Sequence, residues 1–398
     1  MGRLALACLL VACATPAPDD AGPDARDGGA IDGGATDAGA TDAGATDAGG
    51  LDDAGPDGGG SDAAMPGARA TVLTLNLHCL SLDGTPYASN DARFAAIAET
   101  VAAEGVDVLL LQEVCDDGTT DAAEALRAAL AAAGAGDYEA HVAFAHVAWE
   151  GTPEEARESV AVMARSIARP SVIDHQAQGG LRRVAAAADV PTPLGTLRAA
   201  SVHLDFMDAA VRRAQAREAA AVVLSEAFDD SLPALVGGDL NATRGSDAHR
   251  AFGDLGFLDA SQAAGGSRID HVFSHRSAPL RAVEARRVFD TPATAVSDHP
   301  GVLVRFEAAT PDAVSWTRVI AAHDPGFGHG LWLRGSVAPL SWDAGWPMHA
   351  LAPGRWRFVT SELMGSVELK TLVDDTTWQT GDDVTAEAGT EVTLSPSF

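Results

Sequence analysis

The chain has 398 residues and a formal charge of −29 at pH 7, so it is long enough for two or three domains. Between residues 70 and 308 it carries 19 arginines, no lysine and 33 acidic residues, a net charge of 19 − 33 = −14. This balance lacks the basic surface expected for tight nucleic-acid binding, although arginines can still cluster around a cleft.

The chain begins with a segment typical of bacterial export. Met1-Gly2-Arg3 is a short basic start, an apolar run follows, and Cys13 comes directly after Leu10-Val11-Ala12. This pattern predicts a lipoprotein-type signal peptide over residues 1–13, cleaved before a lipidated Cys13. We therefore expect an exported protein, held on the outer membrane or cell surface. Ordinary export without a lipid is the alternative.

A low-complexity segment occupies residues 14–69. It consists almost entirely of Ala, Asp, Gly, Thr and Pro, and Ala-Thr-Asp-Ala-Gly occurs three times between Ala35 and Gly49. Such a composition has too little apolar surface to offset the entropy lost on ordering, so a disordered tether is expected. Its 12 aspartates repel one another and favour an extended chain.

Apolar runs after residue 70 predict strands that alternate with helices. The first helix begins at Ser89-Asn90-Asp91, which supplies capping side chains, and ends at Gly105. Pro191 and Gly195 are expected to mark a hairpin. Strands are predicted at 71–77, 106–114, 139–146, 159–165, 182–188, 197–204, 234–238, 270–274 and 301–307, and further helices at 121–133 and 207–228. The alternation predicts an α/β fold, with two packed sheets flanked by helices, over residues 70–308.

The composition changes after Pro311. Six of the seven tryptophans lie in the last part of the chain, where short alternating runs are separated by Gly, Pro and Asp. Residues 312–398 are therefore predicted to form a small all-β sandwich. Its sequence resembles starch-binding-type modules from Gly335 to Pro347, and exposed tryptophans would suit glycan binding. Core packing explains several of these tryptophans equally well.

Polar side chains follow several of the predicted strands. Gly238-Asp239-Leu240-Asn241 and Ser297-Asp298-His299 each come next to an apolar run. Strand ends are where an open α/β sheet holds its chemistry. Carboxylate and amide oxygens suit Mg²⁺ or Ca²⁺, and such cations act on phosphates. The pattern predicts a metal-dependent phosphoester hydrolase.

Six blocks of this kind occur in a characteristic order. They contain Asn76, Glu113, His203, Asp239 with Asn241, Asp270, and Asp298 with His299. Together they resemble the endonuclease/exonuclease/phosphatase superfamily, the DNase I-like fold, over residues 70–308. The resemblance implies a nuclease, phosphodiesterase or phosphatase that uses Mg²⁺, with Mn²⁺ or Ca²⁺ as alternatives.

The resemblance also implies a metal-ligand set. Glu113 corresponds to the principal ligand, with Asn76 and Asp298 as further ligands, and water would complete an octahedral shell. The alternative for a carboxylate at the end of a buried strand is an ion pair. No cationic residue is close to Glu113 in the sequence.

Catalytic roles follow from the same resemblance. Asp239 and Asn241 would hold and deprotonate the attacking water, although a simple Asx-turn is the alternative for this pair. Asp270 would orient His299, which then acts as a base or stabilises phosphate charge. His203 would donate to a phosphate oxygen or assist the leaving group.

Two histidines and one segment are expected to have smaller roles. His78 is considered as a residue lining the cleft, and His271, next to Asp270, is expected to be structural. The segment from Glu158 to Arg165 resembles a core strand of the family and is assigned no chemistry.

With Cys8 and Cys13 in the leader, Cys79 and Cys115 remain. Each lies shortly after a candidate ligand at a strand end, so neighbouring strands would bring the two sulfurs together. Because exported proteins are oxidised outside the cytoplasm, a disulfide is predicted. Two buried free thiols are the alternative.

The substrate stays open among phosphoesters. Nucleic acid is one class, and sphingomyelin or phosphoinositide headgroups, as in a phospholipase C-like enzyme of the same fold, are another. A third hypothesis is a non-enzymatic surface protein that binds glycans. Such a protein would be expected to lack some of the metal-ligand residues, and all of the expected positions are occupied here. A monomer is expected.

Overall fold

The computed structural model describes residues 67–265 and 268–398. The predicted signal peptide with Cys13, and the predicted tether up to residue 66, lie outside these residues. The described residues group into one compact unit. Within the described ranges, no helix combines the length and the apolar character needed to cross a membrane.

Strands and helices alternate between residues 69 and 308, with several hairpins. The strands are β1 (Arg69–Asn76), β2 (Val108–Asp116), β3 (Glu139–Ala148), β4 (Ala156–Ala164), β5 (Ala168–Asp174), β6 (Val184–Thr192), β7 (Gly195–His203), β8 (Ala234–Asp239), β9 (Phe257–Asp259), β10 (Asp270–His275), β11 (Leu280–Val288) and β12 (Gly301–Ala308). The helices are α1 (Asn90–Glu104), α2 (Ala122–Ala132), α3 (Ala209–Phe228) and α4 (Asp247–Asp254).

The apolar pattern missed four of these elements. β5 is a largely exposed edge strand and β11 is a half-buried edge strand, so neither carries an apolar run, and β9 and α4 are only three and eight residues long. The predicted hairpin between Pro191 and Gly195 is confirmed. Its turn is short and consists of Pro193 and Leu194, because Thr192 pairs with Gly195, so Pro191 itself belongs to β6.

The strands form two six-stranded sheets. Sheet A has the order β11-β12-β1-β2-β4-β3, and sheet B the order β5-β6-β7-β8-β10-β9. The pairs β1/β2 and β7/β8 are parallel, and the other neighbours are antiparallel. This arrangement, flanked by helices, confirms the predicted α/β fold class.

The two sheets meet in a core of small and branched side chains. Leu110 of sheet A and Val272 of sheet B belong to this core. A Cβ at Gly237 would lie 2.7 Å from Leu110 Cδ1, so a larger residue there would force the sheets apart. A second core joins sheet A to α1 and α2, and a third joins sheet B to α3 and α4.

The predicted start of α1 is confirmed by its capping contacts. The Ser89 hydroxyl accepts a hydrogen bond from the Ala92 N–H, and Gly105 ends the helix with a φ of 60°. These contacts satisfy backbone groups that a helix end leaves unpaired.

The last part of the chain is all β, as predicted. Its strands are β13 (Thr317–Ala322), β14 (Leu331–Gly335), β15 (Trp346–Pro347), β16 (His349–Ala352), β17 (Arg355–Thr360), β18 (Ser366–Val373), β19 (Thr377–Trp378), β20 (Val384–Glu387) and β21 (Glu391–Leu394). They form a four-stranded sheet, β16-β17-β13-β21, and a five-stranded sheet, β15-β14-β18-β19 with β20 beside β18. The predicted domain boundary, between residues 308 and 312, falls in the segment between β12 and β13.

This β region packs against α3 of the α/β part. The Arg357 guanidinium is 3% exposed and lies against the helix, with Nε donating to the Ser225 hydroxyl at 2.8 Å and a contact to Asp229. Trp346, fully buried, lies under the Arg217 guanidinium. Trp346 is thus a core residue, whereas Trp378 is exposed, and glycan binding stays a prediction.

His275 ends β10 next to the β region and is almost fully buried. Its ring stacks on Trp316, and its Nδ1 accepts a hydrogen bond from the Ser277 N–H. Burial, aided by the charge of Arg276 and opposed by a hydrogen bond to the backbone of Leu255, lowers its pKa to about 4. The ring is therefore neutral in the folded protein at pH values where an exposed histidine takes up a proton.

We expect His275 to make the fold sensitive to mild acid. Between pH 6.5 and 4 the unfolded chain binds a proton that the folded chain excludes, so stability falls as the pH falls. Urea unfolding should show that the wild type loses roughly 2 to 3 kcal/mol more than His275→Gln between pH 7.5 and 4.5. Equal losses in the two proteins would contradict this assignment.

Candidate active site

Three adjacent strands of sheet B place polar residues in one row. His203 of β7 pairs in register with Asp239 of β8, and Asp239 pairs with Asp270 of β10. Gly238, just before Asp239, has a φ of 150°, and a Cβ there would overlap the Val202 carbonyl. Glycine is therefore required for β7 and β8 to approach so closely, and this approach sets His203 beside Asp239.

Glu113 departs from the regular geometry of β2. The pairing of β2 with β4 shifts register between Leu111 and Val114, and Glu113 itself has a φ of 49°. A left-handed conformation costs a non-glycine residue on the order of 1 kcal/mol or more and is found where a site demands it. The bulge directs the Glu113 carboxylate towards Asn76.

The Asn76 amide joins the two sheets. Its Nδ2 donates to Glu113 Oε1 at 2.8 Å in sheet A and to Asp239 Oδ2 at 3.3 Å in sheet B. Its Oδ1 accepts from the backbone N–H of His78 at 2.8 Å. In this geometry Asn76 positions both carboxylates, while ligation through its oxygen stays a prediction.

Glu113 lies in a surplus of negative charge. Burial raises the pKa of its carboxyl, and the charges of Glu158 and Asp239 raise it further against the opposing effect of His203. Among the described residues Glu113 forms no ion pair, so the ion-pair alternative finds no support. A half-buried carboxylate of this kind, next to an amide, has the hard oxygen donors that fit a divalent cation.

The two carboxylate oxygens of Asp239 have different partners. Oδ1 accepts from the Asn241 N–H at 2.7 Å, which forms the Asx-turn considered from the sequence. Oδ2 faces His203 Nε2 at 3.6 Å and His299 Nδ1 at 3.8 Å. Asn241 has a φ of 50°, and its Nδ2 donates to the Leu204 carbonyl at 2.9 Å. The turn thus coexists with a second carboxylate oxygen that accepts from Asn76 Nδ2 and faces the two imidazoles.

Asp270 and His299 form the predicted pair. The closer Asp270 oxygen lies 3.1 Å from His299 Nδ1. Burial alone would lower the histidine pKa, but the hydrogen bond to Asp270 and the charges of Asp270, Asp239 and Asp298 raise it to about 10. The ring is therefore protonated at neutral pH and carries a positive charge in the cleft.

Asp298 lies at the rim of this group rather than within it. Its side chain is 49% exposed, and Oδ1 lies 3.6 Å from His78 Nδ1. His78 has a φ of 50° and donates its backbone N–H to Asn76. His78 thus lines the cleft between Asp298 and Asn76, and the role of Asp298 as a metal ligand stays a prediction.

The sequence predicted that Glu158 belongs to a core strand and has no chemical role, but the structure places it in the cleft. Its Oε1 accepts from Arg183 Nη1 at 2.9 Å and lies 3.4 Å from His203 Nδ1, and Oε2 lies 3.4 Å from His146 Nε2. Burial opposes ionisation of Glu158, yet the bond to His203 and the charges of His203, Arg183 and His146 lower its pKa to about 2. This ionised carboxylate orients His203. The missed signal was Glu158 itself, a carboxylate directly before the mostly apolar run from Ser159 to Ala164.

The predicted disulfide between Cys79 and Cys115 is present. The two Cα atoms lie 4.8 Å apart, and the bond closes a separation of 36 residues. It joins the loop after β1, which carries His78, to the end of β2, which carries Glu113. The covalent link therefore supports both sides of the Asn76 region.

The profile of the Endonuclease/Exonuclease/phosphatase family matches residues 73–299. Among solved structures, a Beutenbergia cavernae endonuclease/exonuclease/phosphatase is 18% identical at a TM-score of 0.51, covering 80% of this chain and 100% of its own. The human Nocturnin catalytic domain with bound sulfate is 18% identical at 0.49, covering 61% and 95%. A Bacteroides thetaiotaomicron mannosyl-6-phosphatase is 17% identical at 0.48, covering 60% and 99%. No curated protein sequence matched. Likeness at these identities concerns the fold alone.

Glu158→Gln should destabilise the protein because it leaves Arg183, which is 4% exposed, as an uncompensated buried cation. Removal of one partner from a buried pair costs about 3 to 5 kcal/mol. Chemical denaturation should show this loss, and Glu158→Gln combined with Arg183→Met should recover most of it. Additive losses in the double variant would show that the two residues do not act as a pair.

Proposed function

Because the chain belongs to the endonuclease/exonuclease/phosphatase family, we propose that it hydrolyses phosphoester bonds with the help of a divalent cation. One observation carries this proposal. Asn76 and Glu113 from sheet A meet Asp239 and His203 from sheet B at one edge of the sandwich, through contacts of 2.8 to 3.6 Å. The group combines hard oxygen donors, a carboxylate base and imidazole donors.

The cation would be held at Glu113, with Asn76 and Asp298 as further predicted ligands. Mg²⁺ fits this oxygen donor set, and Mn²⁺ or Ca²⁺ are alternatives. When bound, the cation supplies Lewis-acid stabilisation of negative charge on the phosphate oxygens. The unbalanced carboxylate of Glu113, whose pKa burial raises, supports this placement.

Asp239 and Asn241 would orient the attacking water. The Asn241 N–H holds Asp239 Oδ1, which fixes the carboxylate and directs Oδ2 towards His203 and His299. Asp239 Oδ2 would accept the proton from the water as its oxygen attacks phosphorus in line with the leaving group.

His203 and His299 would bind the phosphate from the other side. Arg183 Nη1 donates to His203 Nδ1 at 2.9 Å, and Glu158 holds that guanidinium, so His203 Nε2 faces Asp239 and the cleft. His299 is held at Nδ1 by Asp270. Both imidazoles can then donate to non-bridging phosphate oxygens or to the leaving group through Nε2.

A lipid headgroup substrate is a second candidate beside nucleic acid. Phe206 and Met207, 52% and 75% exposed, follow His203 by three and four residues. The Arg183 guanidinium lies 5.9 Å from the Phe206 ring. An apolar pair beside a phosphate-binding histidine suits contact with acyl chains, as for sphingomyelin or a phosphoinositide, and the −14 charge of residues 70–308 disfavours long polyanions.

The test is a substrate panel on the purified protein. Plasmid DNA, sphingomyelin vesicles, phosphoinositide vesicles and p-nitrophenyl phosphate are each incubated with Mg²⁺ or with EDTA. We expect hydrolysis of at least one substrate, abolished by EDTA and restored by Mg²⁺. Activity that EDTA leaves unchanged, or no activity on any substrate, would overturn the proposal.

Asp239→Asn should remove the base while keeping the size of the side chain. We expect kcat to fall on the order of 10²- to 10⁴-fold, because general base catalysis contributes that much. The melting temperature should stay close to that of the wild type. The matched control is Asp290→Asn, at an exposed position, which should keep full activity. Retained turnover in Asp239→Asn, measured on the substrate found in the panel, would contradict the role.

A further inference from the structure

A second group of metal-binding side chains lies on the opposite side of sheet B from the cleft. His249 of α4, Asp259 of β9 and His271 of β10 each offer one ligand atom, and these atoms all lie within 4.8 Å of one another. His271 directly follows Asp270, and successive residues of a strand point to opposite faces. Asp270 therefore faces His299, while His271 faces α4 and β9.

The protonation of His271 leaves a lone pair aimed into this group. Its Nε2 lies 3.1 Å from the Ala242 carbonyl, so that nitrogen carries the proton and donates. In the neutral ring, Nδ1 is then an acceptor. It is fully buried, has no hydrogen-bond partner among the described residues, and faces a carboxylate oxygen of Asp259 at 3.5 Å. An acceptor facing an acceptor is unfavourable unless a cation or a second proton lies between them.

The distances fit a small transition-metal ion. His249 Nε2 lies 3.2 Å from Asp259 Oδ2, and His271 Nδ1 lies 3.5 Å from the same oxygen. Ligands at about 2.1 Å from a tetrahedral Zn²⁺ are separated by about 3.4 Å. The His249 ring is 15% exposed at its side chain, which leaves an approach for the ion and for a water as the fourth ligand.

The surroundings support the carboxylate in this role. Asp259 Oδ1 accepts from the Ser261 N–H at 3.0 Å and from the Ser261 hydroxyl, and Arg268 Nη2 lies 3.1 Å from Oδ2. These contacts keep Asp259 ionised and fix its orientation. Arg268 also shares Oδ2, so a bound ion and this guanidinium both face the carboxylate, and the ion must compete with that charge.

We propose that His249, Asp259 and His271 form a binding site for a transition-metal ion of the Zn²⁺ class, separate from the hydrolytic cleft. Two imidazoles and one carboxylate are typical ligands of zinc and are a poor set for Mg²⁺. The ion would tie α4 and β9 to β10 behind Asp270. Through the bond from His271 to Ala242, it would also hold the loop that follows Asp239 and Asn241.

The test measures metal binding rather than activity, so it does not depend on the proposed hydrolysis. The full chain is stripped with a chelator and dialysed against Zn²⁺ in the presence of excess Mg²⁺, which occupies oxygen-ligand sites. Bound zinc is counted by elemental analysis, and Co²⁺ replaces it to give the visible absorption of a low-coordinate nitrogen and oxygen site. We expect one retained ion per chain and a rise in melting temperature with Zn²⁺.

Three variants distinguish zinc binding at this site from binding at an exposed histidine or in the hydrolytic cleft. His249→Gln, at a partly exposed position, should fold and weaken zinc affinity more than about 100-fold, since loss of a mere supporting partner costs 10- to 100-fold. His329→Gln, a matched change at an exposed histidine, and Glu113→Gln, in the cleft, should retain the ion. No retained ion in the wild type would overturn the proposal and leave a hydrogen-bonded network only. Full retention by His249→Gln, or loss in Glu113→Gln alone, would overturn it too.

Discussion

The structure depends on one amide group that lies between two sheets. Asn76 ends β1 in sheet A, yet its Nδ2 donates both to Glu113 of the same sheet and to Asp239 of sheet B. Because Asn76 is 1% exposed, these hydrogen bonds form away from competing water and are costly to leave unmade. They hold the strand ends of the two sheets next to each other, so that residues from both sheets contribute to one cleft.

The carboxylates of this cleft differ in whether a cationic side chain balances their charge. Glu158 is neutralised by Arg183 and histidines, which lower its pKa to about 2. Asp270 is paired with His299. Glu113 has no such cationic partner among the described residues, and burial raises its pKa. The protein thus satisfies the carboxylates that orient histidines and leaves one carboxylate available for a cation.

The face of sheet B that packs on α3 and α4 also helps to position the residues of the cleft. The β region after residue 316 packs on α3 through Arg357 and Trp346, which covers the helix that supports β7 and β8. On β10, Asp270 and His271 point to opposite faces. Contacts behind the sheet therefore restrain the strands whose ends carry His203, Asp239 and Asp270.

The amino-acid sequence alone determined the fold class, the family and the disulfide, because these depend on local patterns. Apolar runs of strand length, a capping serine, and polar residues at strand ends all lie within a few neighbouring positions. Asn76, Glu113, Asp239 and His299 could be named as site candidates for the same reason. Only the tertiary structure showed that Glu158 of β4 and Arg183, which lies 25 residues later and just before β6, form a pair that orients His203. Nor could local patterns reveal that a strand bulge aims Glu113, or that His271 faces His249 and Asp259, since these contacts arise from strand register and sheet packing.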